Sequence, residues 1–187
     1  MALNLLLGDS MKTKTQKQPP TYHLILNLLR IMIIMMIVSF SSSANALTFI
    51  VNSSADTLDA LLGDGNCADS IGNCSLRAAI LEANAMPGLD IIELASTTYT
   101  ITNTGRFEDA GAQGDYDITD DLEIHGNASG LSIIDANYLD RAFEILNLAN
   151  VSMYDLTILN GDADTDKGGA IESNSGGNLH LDEVILM

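Results

Sequence analysis

The chain has 187 residues, with 25 acidic against 8 basic side chains and a net charge of −17. The imbalance is concentrated: residues before Leu47 hold Lys12, Lys14, Lys17 and Arg30 against Asp9, whereas the remainder holds 24 acids against Arg77, Arg106, Arg141 and Lys167, a net −20. Such a surface repels phosphate backbones and anionic lipid, which excludes nucleic-acid binding, and the regular short runs of Ile, Leu and Val exclude a disordered chain.

Residues 1–46 read as a secretory signal. Lys12, Lys14 and Lys17 form a positive segment, Ile31 to Val38 is an unbroken apolar run, and Ala44-Asn45-Ala46 has the small-x-small pattern of a cleavage site. Cleavage is expected after Ala46, with Met1 or Met11 as the start. A retained anchor is the alternative, but the run is 8 residues, far short of the ~20 that span hydrocarbon. The mature segment is therefore expected outside the cell or on its surface, without stable membrane insertion. Export permits a disulfide between Cys67 and Cys74, which would staple a local loop and contribute about 2 kcal/mol. Two free thiols are the alternative.

After Leu47 the β-branched run Thr48 to Asn52 predicts a strand, and the Gly- and Asp-rich stretch Ser53 to Asn73 predicts a loop. Ser75 is a good N-cap for a helix whose Leu76, Ala79, Ile80 and Ala83 repeat at i, i+3, i+4 and i+7, and Pro87-Gly88 ends it. A lone helix with one apolar stripe must cover something. From Leu89 onward only short strands and turns are predicted.

Those strands repeat. A shift of 28 residues superposes Ala142, Phe143 and Glu144 on Ala170, Ile171 and Glu172, and places Asn150, Val151, Met153, Asp155, Leu156 and Ile158 on Asn178, Leu179, Leu181, Glu183, Val184 and Leu186. An earlier copy shows at Leu122-Glu123-Ile124, offset by 29. Three strands per repeat without intervening helices cannot form βαβ crossovers. They fit a coil stacked on its predecessor around an aliphatic core. An antiparallel sandwich would show similar turn spacing, but its hairpins have no reason to keep a three-strand period.

The segment Gly72 to Gly88 (GNCSLRAAILEANAMPG) resembles the CSLREA-type motif near the N-terminus of exported bacterial right-handed parallel β-helix proteins. The match covers Cys74, Ser75, Leu76, Arg77, Ala79, Ile80, Glu82, Ala83, Asn84 and Ala85, and departs at Ala78, where Glu is usual. Gly114 to Gly126 is similar to the same family, and Gly168 to Ile171 resembles repeats of polymorphic outer-membrane proteins. The resemblance implies an all-β, right-handed parallel β-helix with an N-terminal capping helix. The domains are then 1–46 signal peptide, 47–88 cap and 89–187 first coils. Leu76, Arg77, Ile80 and Ala83 would form the capping helix. VILM at the end looks like an uncapped strand, so the chain is expected to continue beyond Met187 and to stack on that continuation.

The chemistry is sparse. A polysaccharide lyase needs calcium-holding carboxylates and a base, but Arg141 reads equally as a salt-bridged turn residue. Asp120 and Asp121 are neighbours that point apart in a strand, and His125 and His180 read as solvent-facing. Asp162, Asp164 and Asp166 open like an EF-hand loop, yet Lys167 and Ser173 stand where Gly and Glu belong. Calcium there competes with a solvated loop, and Asp64, Asp69, Asp115, Asp117, Asp120 and Asp121 are weaker candidates. The sequence thus points to an exported or surface β-helix with a structural, adhesive or carbohydrate-binding role and no catalytic residues assigned. The alternative is a lyase- or pectin-hydrolase-like enzyme whose active site lies outside this chain.

Overall fold

The computed structural model describes residues 21, 25, 27–32, 46–128, 131–163, 168–174 and 176–187. The chain divides into two units, Met1–Ser43 and Ala44–Met187. In the first, residues 27–32 are helical, and among the described residues no helix is long and apolar enough to cross a membrane.

The second unit is a parallel β-helix. Strand β1 (Thr48–Ile50) is followed by helix α1 (Leu76–Ala85) and strands β2 (Asp90–Glu93) and β3 (Thr98–Thr100). Three complete turns follow: β4 (Tyr116–Ile118), β5 (Leu122–His125) and β6 (Ser132–Asp135); β7 (Phe143–Ile145), β8 (Val151–Tyr154) and β9 (Leu156–Leu159); β10 (Ile171–Ser173), β11 (Leu179–Asp182) and β12 (Ile185–Leu186). The strands stack into three parallel sheets, ordered β1-β2-β5-β8-β11, β3-β6-β9-β12 and β4-β7-β10. Ile171 pairs with Phe143 and Leu179 with Val151, the register that the 28-residue repeat demands.

Alternation along each strand fills the interior. Tyr116 lies beside Phe143, with ring centroids 5.4 Å apart, and Ile118 pairs with Ile145. Ile124 is in register with Met153, and Ile134 with Ile158. All are fully or almost fully buried. Asp155 and Glu183, 28 residues apart, both have positive φ (55° and 54°) and lie at the short corners between β8 and β9 and between β11 and β12. The left-handed conformation turns the chain there without a longer loop. On the final turn Leu179 and Leu181 remain partly exposed.

Helix α1 precedes β2 and β3 where a strand of the third sheet would otherwise stand, and it packs on β4 and β2. It is not the single-striped helix of the sequence reading. Leu76, Ile80 and Ala83 are buried as expected, but so are Arg77, Ala78, Leu81 and Glu82, because the loop after β1 and the segment before β4 fold over the rest of the helix. That loop uses its acids internally. Asp69 accepts from the backbone N–H of Ile71 (3.0 Å) and Asn73 (2.9 Å), Asp64 from Asn66 N–H (2.9 Å), and Asp59 from Ala68 N–H (2.8 Å). The Cys67–Cys74 disulfide ties the loop to the residue before the N-cap, and Ser75 Oγ accepts from Ala78 N–H at 3.1 Å. Glu82 reaches back to accept from Gly63 N–H (2.7 Å) and Gly65 N–H (2.5 Å).

Opening the disulfide by Cys67→Ser with Cys74→Ser is expected to cost about 2 kcal/mol of unfolding free energy, the loop-closure entropy of so short a ring. Urea unfolding with and without the bridge measures it.

Candidate functional site

Two sets of side chains concentrate chemistry on this scaffold. The first joins α1 to the first full turn. The Arg77 side chain is completely buried, its Nε 2.5 Å from Asp56 Oδ1. Its Nη1 donates to the carbonyls of Gly111 (2.7 Å) and Asp115 (3.0 Å), and its Nη2 to that of Gly114 (2.7 Å). The guanidinium also lies 4.7 Å from the centroid of the Tyr116 ring. Asp56 is shared, since its Oδ2 accepts from the N–H groups of Thr102 (2.7 Å) and Asn103 (2.8 Å). Two turns along the helix, Asn84 Nδ2 donates to Asp117 C=O (2.7 Å) and its Oδ1 accepts from Thr119 N–H (2.8 Å). Those backbone groups, one in β4 and one just after it, lie on the side that a preceding strand would have bonded. A side-chain amide thus stands in for a rung of sheet and blunts an open edge.

The second set is an acidic ladder. Asp117, Glu144 and Glu172 are in register on β4, β7 and β10 and point away from the core. Like charges directly opposite one another repel. Asp117 is nevertheless 0% exposed, because the segment before β4 lies over it and Gly111 N–H donates to its Oδ2 at 2.7 Å. Arg141 enters the cluster from the turn before β7. It contacts Glu172 closely through Nη1, stands 3.7 Å from Glu144 Oε2, and places Nε 3.6 Å from Asp115 Oδ2. Asp117 Oδ1 and Asp115 Oδ2 are buried without a hydrogen-bond partner. A cavity of about 270 Å³ opens beside them, lined in part by Asp109, Asp140, Arg141 and Asn174.

Asp115, Asp117 and Glu144 offer one oxygen each within 4.8 Å of one another. An all-oxygen set of this span suits a hard cation such as calcium, which makes these three a candidate cation set among the described residues. Arg141 already places one positive charge in the same cluster. The Asp162, Asp164 and Asp166 expectation fares differently: Asp162 Oδ2 lies 3.3 Å from Arg106 Nη2, and Asp164 and Asp166 lie outside the described residues. Asp120 and Asp121 hold backbone, accepting from Gly88 N–H (3.1 Å) and Asn150 N–H (2.7 Å) respectively. Arg141 is a salt-bridged turn residue, one of the two readings its sequence left open. Its setting among several carboxylates was invisible there, because Asp115, Glu144 and Glu172 converge only through the stacking of turns.

The outer face of the longest sheet carries a third feature. Glu93, His125, Tyr154 and Asp182 form one in-register column. Each ring nitrogen of His125 faces a carboxylate, Nδ1 that of Glu93 at 3.2 Å and Nε2 that of Glu123 at 3.0 Å. Tyr154 packs edge-on against His125 at 4.9 Å and tilts against His180 at 5.8 Å between centroids. His180 is exposed as expected, whereas His125 is only half-exposed. A shallow cavity of about 460 Å³ lies over Glu93, Glu123, His125 and Tyr154.

Two measurements test the buried groups. Arg77→Met leaves Asp56 charged in the interior and strands the carbonyls of Gly111, Gly114 and Asp115, so a loss of about 3–5 kcal/mol is expected in urea unfolding. For the ladder, burial and then the neighbouring Asp140 push the Asp115 carboxyl up to about 7, and burial and then Asp115 push Asp117 up to about 8. A carboxyl that binds its proton more tightly when folded adds stability below its unfolded pKa of about 3.9, and that stability is lost as pH rises through the folded value. With a chelator present, the melting temperature should therefore fall between about pH 5 and pH 9. Asp117→Asn should flatten that fall and stabilise the protein at the alkaline end by about 1–3 kcal/mol.

No family model, curated protein or solved structure matches this chain.

Proposed function

We propose that this chain starts and caps the β-helix of an exported or surface protein of the CSLREA-like kind, presenting an elongated acidic flank that contacts carbohydrate. The observation that carries the reading is α1 in the place of a strand, with Asn84 bonded to the backbone of β4. A parallel solenoid must protect the edge where it begins, and a helix with matched polar anchors does so without offering an edge for another chain to pair with. The β-solenoid fold itself is compatible with a surface or carbohydrate-related role.

The carbohydrate part rests on the column of Glu93, His125, Tyr154 and Asp182, an outward aromatic group flanked by hydrogen-bonding side chains over a shallow groove. The net −20 of residues 47–187 favours neutral glycans over polyanions.

Replacing Leu76 and Ile80 together by Ser should unseat α1 and expose the first turn, giving lower melting and concentration-dependent association in light scattering. A double variant that melts and stays monomeric like the parent would refute the capping role. For the ligand, Tyr154→Ala should weaken binding to neutral polysaccharide about tenfold in affinity electrophoresis, the loss of roughly 1.4 kcal/mol. Equal retardation of parent and variant would remove the groove from the argument.

A further inference from the structure

The structure carries a detail at the start of the solenoid that matters only if the chain is cut. Leu47 opens the first rung, its C=O accepting from Ile91 N–H at 2.8 Å just before β1 pairs with β2. Its own N–H donates to Asp90 Oδ1 at 2.8 Å. Asp90 stands at an inward position of β2, in register with Leu122, and is 0% exposed. Its second oxygen, Oδ2, is buried without a hydrogen-bond partner. A carboxylate half-satisfied by one amide in the wall of an aliphatic core is costly unless a cation meets it.

The residue before Leu47 is Ala46, which is exposed, and Ala44-Asn45-Ala46 has the pattern that a signal peptidase cuts. The two units of the chain also part nearby, between Ser43 and Ala44. We infer that hydrolysis of the Ala46–Leu47 bond creates the partner that Asp90 lacks: the α-ammonium of Leu47 forms a buried ion pair with both carboxylate oxygens and locks the first rung. In the cleavage, the C–N bond breaks, the Ala46 carbonyl takes the hydroxyl of water and becomes a carboxylic acid, and the Leu47 nitrogen takes the remaining hydrogen and becomes an amine. The acid gives its proton up through solvent to the amine, leaving a carboxylate and an ammonium. The amide has one proton to offer and already gives it to Oδ1. The ammonium has three, enough to keep that bond and to reach Oδ2 through a charge-assisted one.

The electrostatics favour the exchange. Burial pushes the Asp90 carboxyl up from its ordinary value; the Leu47 N–H opposes this, and the negative charges of Asp120 and Glu82 add to it. A positive terminus at Leu47 is attracted to Asp90 directly, and at longer range to Asp120 and Glu82, whose carboxylates are held by the N–H groups of Gly88 and of Gly63 and Gly65. An α-amino group has an ordinary pKa of about 7.7–8.0, and ion pairing raises it in the folded state. The stability it adds is therefore complete below that range and lost as pH climbs through the raised value.

The inference rests on the export reading for its natural setting, and the test separates the two. The full chain is prepared with the four residues before Leu47 replaced by Ile-Glu-Gly-Arg, so that a site-specific protease frees Leu47 as the terminus. Melting is then followed before and after cleavage, between about pH 6 and pH 10. Cleavage should raise the melting temperature by a few degrees at neutral pH, the gain should vanish at the alkaline end, and Asp90→Asn should abolish it. If Asp90→Asn does not fold, acetylating the freed amine in the parent must erase the gain instead. A cut chain that melts like the uncut one at every pH, or a gain that survives acetylation, overturns the ion pair. Separately, mass spectrometry of the chain secreted from its natural start should show Leu47 as the first residue. Any other terminus overturns the processing step, even where the engineered cut locks the rung.

Discussion

Much of this structure hangs on a single buried guanidinium. Arg77 lies in the first turn of α1, without solvent, and ties the helix to two other pieces of chain. It meets Asp56 from the loop after β1, the carbonyls of Gly111, Gly114 and Asp115 from the approach to β4, and the face of Tyr116 in the core. A buried charge is tolerable only when its partners are complete, and here Asp56 and three carbonyls meet the fork. Because Asp56 also binds Thr102 and Asn103, the loop, the helix and the segment leading to β4 become one cooperative unit.

A solenoid makes the same side chains recur at one place on successive turns, and that repetition has two consequences. In the interior it is favourable, since aliphatic and aromatic residues align into continuous stacks such as Tyr116 on Phe143. On the flank it aligns charges, so that Asp117, Glu144 and Glu172 become an acidic ladder. The chain relieves that ladder with Arg141 and by covering its first member. The asparagines show the benign version: Asn178 Nδ2 donates to Asn150 Oδ1 at 2.8 Å, and Asn150 Nδ2 donates to Asp121 at 3.0 Å. Amides stack well because each is both donor and acceptor. Carboxylates only accept, and need an added cation or a proton.

Besides those that pair with arginines, such as Asp56 and Glu172, two physical classes stand out among the described acidic side chains. Those in the loop after β1, together with Asp120 and Asp121, fold back on nearby backbone N–H groups and serve as turn fasteners. Asp90, Asp115 and Asp117 are instead buried with an oxygen left unbonded. Composition counts both classes alike. Only the second answers sharply to a new cation, a proton or a new terminus.

The β-helix was legible in the sequence because its signal is periodic. A 28-residue shift that lays apolar on apolar and Asn on Asn is a statement about stacking, and the register of Val151 with Leu179 follows from it. The local Cys67–Cys74 pairing and the Ser75 cap were legible too, since both depend on residues close in sequence. The positions of Arg77, Glu82 and Asn84 were not. Periodicity marks them only as lying off the apolar stripe, and it took the loop folded over α1, the segment before β4 and the open backbone beside it to turn them inward. The ladder of Asp117, Glu144 and Glu172, and the meeting of Leu47 with Asp90, were decided by which turns came to lie together. Periodicity records what each residue faces on average. Individual ion pairs and orphaned oxygens depend on contacts between segments tens of residues apart, and no local pattern encodes them.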